Sequence, residues 1–223
     1  AVDCGYIFED LVRRFNESYG EEAGAHFTSR DIIYLMTDLL LCDVKLGDNI
    51  TVYDMTMGTS QMLSCMEERI HALDEDAVVT CFGQEFNPST FAIAKADMMI
   101  RGGDPNNMRF GDTLSEDQFS GYTFDRIISN PPYIEEADMK DLDISVRDYE
   151  PHLALYGGTD GLDFYRRIAA EAPAHLNDGG VLLLEIGWDQ GKEVAAIASA
   201  AGYRCEIYKD YGGNDRVAFV SRP

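Results

Sequence analysis

The sequence lacks the residue patterns of a disulfide-rich or metal-binding protein. Its five cysteines are odd in number and widely separated, they form no CxxC pair, and the four histidines are equally scattered. Disulfide frameworks and zinc sites need paired or closely spaced ligands. We therefore expect reduced thiols and no metal site.

Basic residues are also scarce. The 223 residues include 18 Lys and Arg against 40 Asp and Glu, which gives a formal net charge of −22. Binding to nucleic acid phosphates needs clustered positive charge, and the sequence has no basic stripe. A DNA substrate would therefore have to be held by additional subunits or domains. The simpler explanation of the acidity is a well-solvated surface.

Long apolar runs are missing as well. No run approaches the length of a membrane span, and Ala1-Val2-Asp3 does not begin a signal peptide. The absence of an initiating Met suggests a trimmed fragment. Because 45% of the residues are hydrophobic, a chain of this length can bury one core. We expect a single domain that is cytoplasmic and has no membrane partner; the sequence does not indicate an oligomeric state.

What the sequence does contain is a polar motif after an apolar run. In residues 127–133 the run ends at Asn130, and Pro131, Pro132 and Tyr133 follow. Asn130 offers a side-chain carbonyl, and Pro131, which has no N–H, offers only its backbone carbonyl. Two acceptors directed at the N–H bonds of an amide or aromatic amine favour a pyramidal nitrogen whose lone pair can attack. Tyr133 could stack on a planar substrate.

We therefore predict that Asn130, Pro131, Pro132 and Tyr133 are catalytic. For an Asn-Pro pair by itself, the alternative is a proline turn that closes a strand. The full tetrapeptide at the end of an apolar strand favours the functional interpretation, because open α/β sheets bind their ligands at strand ends.

Three earlier apolar segments end at an acidic residue. These acids are Asp54 after residues 50–53, Glu85 after residues 78–84, and Asp112 after residues 108–111. Gly58 permits a close backbone approach to a ligand in the turn after Asp54. Glu85 is placed to accept both ribose hydroxyls of a nucleoside, or else to satisfy the dipole of the following helix. Asp112 is a candidate acceptor for an adenine amino group, or else a solvated turn residue.

Residues 26–31 include the start of another predicted helix. Thr28, with Asp31 three residues later, resembles a capping box, so that a helix is predicted over residues 29–42. Either Thr28 is an ordinary N-cap, or the helix start offers its free N–H groups to an anion such as the carboxylate of an amino-acid moiety.

The remaining periodicity completes an α/β pattern. Further helices are predicted at residues 5–19, 61–73, 88–101, 162–176 and 190–201, and strands at 50–54, 78–85, 108–114, 181–186, 205–209 and 216–220, with one more strand ending at Asn130. Residues 134–161 are acidic and loop-like. The βα spacing predicts a doubly wound, Rossmann-like fold whose seven-stranded sheet is mostly parallel and ends in an antiparallel hairpin.

The tetrapeptide Asn130-Pro131-Pro132-Tyr133 resembles the motif of the amino-methyltransferases that use S-adenosylmethionine. In that family it holds the nitrogen that is methylated, on adenine, cytosine or a glutamine side chain. The resemblance implies S-adenosylmethionine as the cofactor, with Phe86 beside its adenine ring. The cofactor-binding residues that it implies are Phe27, Thr28, Asp54, Thr56, Gly58, Glu85, Phe86, Asp112 and Asn130.

Residues 5–133 resemble the methylation subunit of type I restriction-modification systems. The evidence is Asp54-Met55-Thr56-Met57-Gly58-Thr59-Ser60, where that family has Asp-Pro-Thr/Ala-x-Gly-Thr/Ser-Gly, together with Gly83-Gln84-Glu85-Phe86-Asn87-Pro88. Met55 replaces the Pro and Ser60 the second Gly. Residues 27–30 are similar to the Phe-Thr-Pro-Arg stretch of adenine-N6 methyltransferases, which contacts the methionine part of the cofactor; here Ser29 replaces the Pro.

Residues 130–223 instead resemble the C-terminal half of the glutamine-N5 methyltransferases that act on release factors. The matching segments are Val146-Arg147-Asp148-Tyr149-Glu150-Pro151, Asp160-Gly161-Leu162-Asp163-Phe164-Tyr165-Arg166 and Leu184-Glu185-Ile186-Gly187. The two resemblances meet at the shared motif. They suggest a chimera with a cofactor-binding half, residues 1–133, and a substrate-side half, residues 134–223, in one methyltransferase domain without target-recognition domains.

Two functions follow as alternatives. The first is an N-methyltransferase that acts on adenine N6 of DNA or on glutamine N5 of a release-factor-like protein. The second is a folded scaffold that binds the cofactor weakly or not at all and has no turnover, which the replacements at Met55 and Ser60 would favour.

Overall fold

A seven-stranded sheet with helices on both faces organises the chain. The computed structural model describes residue 28 and residues 30–41, 49–142 and 152–223. The strands are Ile50–Asp54 (β1), Val79–Glu85 (β2), Met108–Phe110 (β3), Phe124–Ser129 (β4), Leu176–Glu185 (β5), Arg204–Lys209 (β6) and Asp215–Ser221 (β7). The α-helices are Arg30–Leu41 (α1), Gln61–Leu73 (α2), Pro88–Arg101 (α3), His152–Leu155 (α4), Asp163–Glu171 (α5) and Gly191–Ala200 (α6).

The strand order is β3-β2-β1-β4-β5-β7-β6. Strands β1 to β5 pair in parallel, and β7 is antiparallel to both β5 and β6. The predicted doubly wound sheet with an antiparallel C-terminal hairpin is therefore confirmed. Chain order reverses between β1 and β4, and the crevice at such a switch point is where open α/β sheets bind ligands.

Each face of the sheet buries its own apolar cluster. On one face, side chains of α1 and α2, such as Ile33, Met36 and Leu63, pack with Val52 and Ile128. The other cluster includes Tyr53, Phe124, Ile127, Tyr165 and Val194. Burial on both faces explains the apolar residues of β1 and of the carboxyl-terminal parts of β4 and β5.

The structure corrects the predicted helix over residues 162–176. Helix α5 ends at Glu171, a 3₁₀ helix covers Ala172–His175, and β5 begins at Leu176 rather than at residue 181. Leu176 is buried and pairs with Phe124, and Asn177 donates from Nδ2 to Asp125 Oδ1 at 2.8 Å. The register of β4 and β5 shifts between Phe124 and Arg126, and this irregularity accommodates Gly179 and Gly180 within β5. The sequence indicated these two glycines as a break between a helix and a strand.

Two smaller differences concern the loops. Strand β3 stops at Phe110 instead of residue 114, so Asp112 lies in the turn after the strand rather than within the strand. The segment predicted as loop-like contains α4 and a 3₁₀ helix, Asp138–Lys140. The predicted helix over residues 5–19 lies outside the described residues. Within the described ranges, no helix is long and apolar enough to cross a bilayer.

Candidate functional site

The carboxyl ends of β1 and β4 lie side by side at the switch point of the sheet. Asp54 is paired with Ile128, and the Met55 N–H donates to the Ile128 carbonyl at 3.3 Å. The first predicted acid and the start of the Asn-Pro-Pro-Tyr segment are therefore held by the same strand pair. Neither strand end depends on a long loop for its position.

Asp54 is a buried carboxylate at the base of this crevice. Only 1% of the residue is exposed, and Oδ1 accepts a hydrogen bond of 3.0 Å from the Thr56 N–H. Burial raises the pKa of Asp54 to about 7; the Thr56 N–H opposes the rise and the charge of Glu85 adds to it. A buried acid with so little compensation is typical of a binding site.

Glu85 connects the end of β2 to the loop after β1. Its Oε2 accepts from the Gly58 N–H at 2.8 Å, and its Oε1 accepts from the Asn87 N–H at 2.6 Å. Gly58 has a φ of +53°, and a Cβ added there would meet nothing within 4 Å. The backbone at Gly58 therefore faces open space, as the close approach of a ligand requires.

The start of α2 lies in the same loop. Ser60, the N-cap residue, has a φ of 71° and is fully buried, and its Oγ has no hydrogen-bond partner. Gln61 Oε1 is also buried without a partner. The sequence indicated Ser60 only as a replacement for glycine, and the left-handed backbone explains why glycine suits this position.

Thr56 joins the two predicted halves of the site. Its Oγ1 lies 2.8 Å from Ser129 Oγ and 3.2 Å from both the backbone O and the backbone N of Asn130. The sequence predicted Thr56 as a cofactor-binding residue, whereas its contacts in the structure are with β4 and the residue that follows it. Ser129, buried at the end of β4, was not predicted.

Asn130 is partly buried, and its side-chain amide forms a hydrogen bond with Thr28. Nδ2 donates to Thr28 Oγ1 at 2.9 Å. Because a hydrogen-bonded Nδ2 turns Oδ1 the other way, the carbonyl oxygen is available to an N–H donor in the crevice. Thr28 therefore lies beside Asn130, and its role in cofactor binding stays a prediction; Phe27 lies outside the described residues.

Tyr133 lies next to a charged group that the sequence did not indicate. Burial raises the pKa of Tyr133 to about 12, and the charge of Glu185 adds to the rise while Arg216 opposes it. Glu185, at the end of β5, is 4% exposed. The sequence could have indicated Glu185 as a site residue, because an acidic residue at the end of an apolar strand repeats the pattern of Asp54 and Glu85.

The backbone of Tyr133 is held by a second unpredicted residue. Gln190 donates from Nε2 to the Tyr133 carbonyl at 2.9 Å and accepts at Oε1 from the Gly187 N–H at 3.0 Å. A glutamine at the start of a helix gives no sequence signal for such a bridge, which depends on the packing of β5 against the motif.

Asp112 and Phe86 lie farther along the same edge of the sheet. Asp112 accepts from the Leu114 N–H at 3.0 Å and from Ser115 Oγ at 2.7 Å, so its contacts are those of a turn residue. Phe86 is 55% exposed after β2. An exposed ring beside Glu85 agrees with a stacking role.

The donor set of this crevice fits S-adenosylmethionine. Its ammonium and hydroxyl groups need acceptors, which Asp54 and Glu85 supply, and its carboxylate needs the N–H donors at the start of α2. The open space at Gly58 and the unpartnered Ser60 Oγ leave room and polar contacts for a ligand. In the part of the chain that the structure describes, no three His, Cys, Asp or Glu side chains are grouped to hold a metal ion.

Comparison with solved structures supports the fold. The methyltransferase subunit of a type I restriction-modification system from Streptococcus thermophilus matches 97% of this chain and 48% of its own, with a TM-score of 0.64 and 21% identity. A putative class I S-adenosylmethionine-dependent methyltransferase from Listeria monocytogenes matches 98% of this chain and 71% of its own, with a TM-score of 0.64 and 14% identity.

Sequence relatives and a family model identify the family. The release factor glutamine methyltransferase of Clostridium acetobutylicum is 37% identical over 150 residues, 66% of this chain and 52% of that protein. That of Cereibacter sphaeroides is 53% identical over 100 residues, 44% of this chain and 36% of that protein. The chain thus spans about half or less of these relatives. Both predicted resemblances are confirmed, and since the N-6 DNA methylase model matches residues 3–152, the chain belongs to the N-6 DNA methylase family of methyltransferases.

Proposed function

We propose that the chain is an S-adenosylmethionine-dependent N-methyltransferase domain. The observation that carries the proposal is the position of Asn130: it follows β4 at the switch point, its Nδ2 is taken by Thr28, and its Oδ1 is left to accept from a substrate nitrogen. Asp54, Thr56, Gly58 and Glu85 lie at the neighbouring strand ends, where a bound cofactor would meet them.

S-adenosylmethionine, when bound, supplies an electrophilic methyl group and is released as S-adenosylhomocysteine. The carboxylates of Asp54 and Glu85 would hold its amino and hydroxyl groups, Phe86 and Asp112 its adenine, and the start of α2 its carboxylate. The Asn130 side-chain carbonyl and the Pro131 carbonyl would accept from the N–H bonds of the substrate, and Tyr133 would hold its planar group. Positioning rather than a strong general base would supply most of the rate acceleration.

The first candidate substrate is a glutamine side chain on a protein. Two observations support it: the curated relatives named above are release factor glutamine methyltransferases, and the net charge of −22 disfavours an unaided approach to DNA. An exposed peptide loop needs no base flipping to reach the crevice.

The second candidate is the amino group of adenine in DNA, which the family model supports. The base would have to leave the duplex, and a basic surface outside this chain would have to hold the phosphates. This candidate therefore includes a requirement for further subunits or domains.

We also propose that residues 1–133 and 134–223 form one cleft although they resemble different methyltransferases, as a chimera would. Contacts across the boundary support this: Glu185 and Gln190 of the second half lie against the Asn-Pro-Pro-Tyr segment.

The test is methyl transfer from radiolabelled S-adenosylmethionine. Purified protein is incubated with a protein that carries a Gly-Gly-Gln loop, with the same protein in which that glutamine is replaced by alanine, and with adenine-containing DNA. We expect incorporation into the first and none into the second, with loss of transfer in Asn130→Ala. Incorporation into DNA alone would select the second candidate. No transfer to any of them by a folded protein would contradict the enzyme proposal and support a scaffold.

A further inference from the structure

The amide of Asn130 can present either of two groups to the crevice. If Oδ1 faces the crevice, it accepts from a nitrogen to be methylated; if the amide is turned by 180°, Nδ2 faces the crevice and would donate toward that same nitrogen. The second orientation would occupy the lone pair that must attack. The choice between them is a requirement for the reaction and depends on the group behind the amide.

Thr28 by itself cannot make this choice. A hydroxyl group has one proton and two lone pairs, so it can accept from Nδ2 or donate to Oδ1 equally well. In the structure it accepts, with Nδ2 at 2.9 Å from Oγ1. It stays an acceptor toward Asn130 only if its single proton is committed to another group.

Glu185 is the group to which that proton is directed. Hydrogen bonding from Thr28 and from Tyr133 lowers the pKa of Glu185, which burial, the largest influence, raises to about 7. The carboxylate comes to this place through the sheet, because Ser129 of β4 pairs with Leu184 of β5, so that Asn130 and Glu185 are the next residues of the two strands.

The position of Glu185 is fixed from three other sides. Its carbonyl accepts from the Tyr165 hydroxyl at 3.0 Å, and it pairs with Val217 in β7. Its charge also interacts with Arg216. Only 4% of Glu185 is exposed, and its Oε2 has no hydrogen-bond partner. Burying a carboxylate with an unpaired oxygen costs stability, and such a cost is typical of functional sites.

We propose that Glu185 and Thr28 are positioning residues that orient the Asn130 amide: Thr28 donates its proton to Glu185, accepts from Asn130 Nδ2, and thereby directs Oδ1 toward the substrate nitrogen. The inference rests on the proposed N-methyltransferase function. Neither residue touches the reacting atoms in this account, since Glu185 acts through Thr28 and Thr28 acts through Asn130.

A measurement on the amide itself tests the relay without any turnover. The side-chain Nδ2 protons of Asn130 are assigned in ¹H–¹⁵N spectra by their loss in Asn130→Asp, and their exchange with solvent is measured. A net hydrogen bond slows exchange by about tenfold. We expect this protection in the wild type and in Thr28→Ser, and its loss in Thr28→Val and in Glu185→Leu, which has no acceptor for the Thr28 proton. The controls are Thr37→Val, whose hydroxyl donates to the Ile33 carbonyl of its own helix, and Glu206→Leu on the edge strand β6.

Glu185→Leu decides the matter, because leucine cannot accept the proton of Thr28. Tyr133→Phe, which removes the other hydrogen bond to Glu185, is the control for an effect through Tyr133. Protection that persists in a folded Glu185→Leu protein would overturn the proposal. If that variant does not fold, the pair Thr28→Ser and Thr28→Val decides: equal protection in both would overturn it, and protection in the serine variant alone would support it.

Kinetics with the Gly-Gly-Gln protein separate this inference from the proposed function. If the wild type transfers methyl groups, we expect Glu185→Leu to lower kcat by about tenfold or more with KM nearly unchanged, because a misplaced acceptor affects the transition state more than binding. Unchanged kcat would overturn the relay and leave the function intact. If the wild type transfers nothing, the function fails, and the exchange rates still decide the relay.

Discussion

The hydroxyl of Thr56 lies 3.2 Å from both the backbone carbonyl oxygen and the backbone nitrogen of Asn130. This contact joins the loop after β1 to the residue that begins the Asn-Pro-Pro-Tyr segment. A third contact, 2.8 Å to Ser129 Oγ, extends it to the end of β4. The loop predicted to bind the cofactor and the segment predicted to bind the substrate are therefore joined through one hydroxyl group. A change in the position of the loop should alter the position of the segment.

Replacing Thr56 tests that coupling. Thr56→Val keeps the shape of the side chain but leaves Ser129 and Asn130 without their partner, so we expect a loss of about 1–2 kcal/mol in the free energy of unfolding. Thr56→Ser retains the hydroxyl and should lose less than half as much. Chemical denaturation of the three proteins makes the measurement, and a larger loss in Thr56→Ser than in Thr56→Val would show that the methyl group, not the hydroxyl, matters.

Ser60 is predicted to be a site where glycine stabilises the protein. Its φ of 71° is unfavourable for a residue with a Cβ, and its buried hydroxyl has no partner. We expect Ser60→Gly to raise the free energy of unfolding by about 1 kcal/mol, measured as an increase in Tm. Ser64→Gly, in the interior of α2, should instead destabilise the protein, because it places glycine in a helix and removes the 2.6 Å hydrogen bond that the Ser64 hydroxyl donates to Asp97. A lower Tm for Ser60→Gly would mean that the hydroxyl has an essential contact.

Asp54 gives the stability a definite dependence on pH. Its pKa is raised from an ordinary value of 3.8 to about 7, so between these values the folded state binds the proton more strongly than the unfolded state. The contribution of Asp54 to stability is therefore most favourable below about pH 4 and falls as the pH rises to about 7. Glu185, with a pKa raised from 4.5 to about 7, acts in the same direction.

Asp54→Asn isolates this effect. The asparagine side-chain carbonyl can still accept from the Thr56 N–H, but it carries no charge. We expect the variant to be more stable than the wild type at pH 8, by an amount on the order of 3 kcal/mol, and the difference to shrink toward pH 4. Denaturation at both pH values measures it, and a difference that is independent of pH would contradict the buried ionised carboxylate.

Glu85 is predicted to be more sensitive to shortening than to loss of charge. Glu85→Gln can still accept from the Gly58 or the Asn87 N–H through one oxygen, whereas Glu85→Ala leaves both donors without a partner. We expect the alanine variant to lose about 2 kcal/mol of stability and the glutamine variant about half of that. Similar losses in the two would show that charge, not the hydrogen bonds to the loop, is what Glu85 provides.

Local patterns predicted the sheet well, because the strands that carry the site are apolar runs ended by polar residues. Helices α2 and α3 begin and end where the sequence predicts, since their periodicity and the Asn87-Pro88 start are local signals. The predicted start of β5, residue 181, is five residues after the observed start because Asn177 and Gly180 indicate a turn. Only the pairing of β5 with β4 shows that these residues belong to the strand.

The candidate site was predicted in part for the same reason. Asp54, Glu85 and Asn130 each end an apolar run, and the structure brings them to one edge of the sheet. The role of Glu185 depends on strand order, which places β5 beside β4, and the left-handed conformation of Ser60 depends on the turn into α2. Neither is a property of a short stretch of sequence.

The most direct test of a cofactor crevice at the switch point is calorimetric titration with S-adenosylhomocysteine. We predict saturable binding of one molecule per chain by the wild type, lost in Asp54→Ala and in Glu85→Ala and retained in Glu206→Gln on the edge strand. Absence of heat with a wild-type protein shown to be folded, or binding that survives both substitutions, would contradict the crevice formed by Asp54, Gly58 and Glu85.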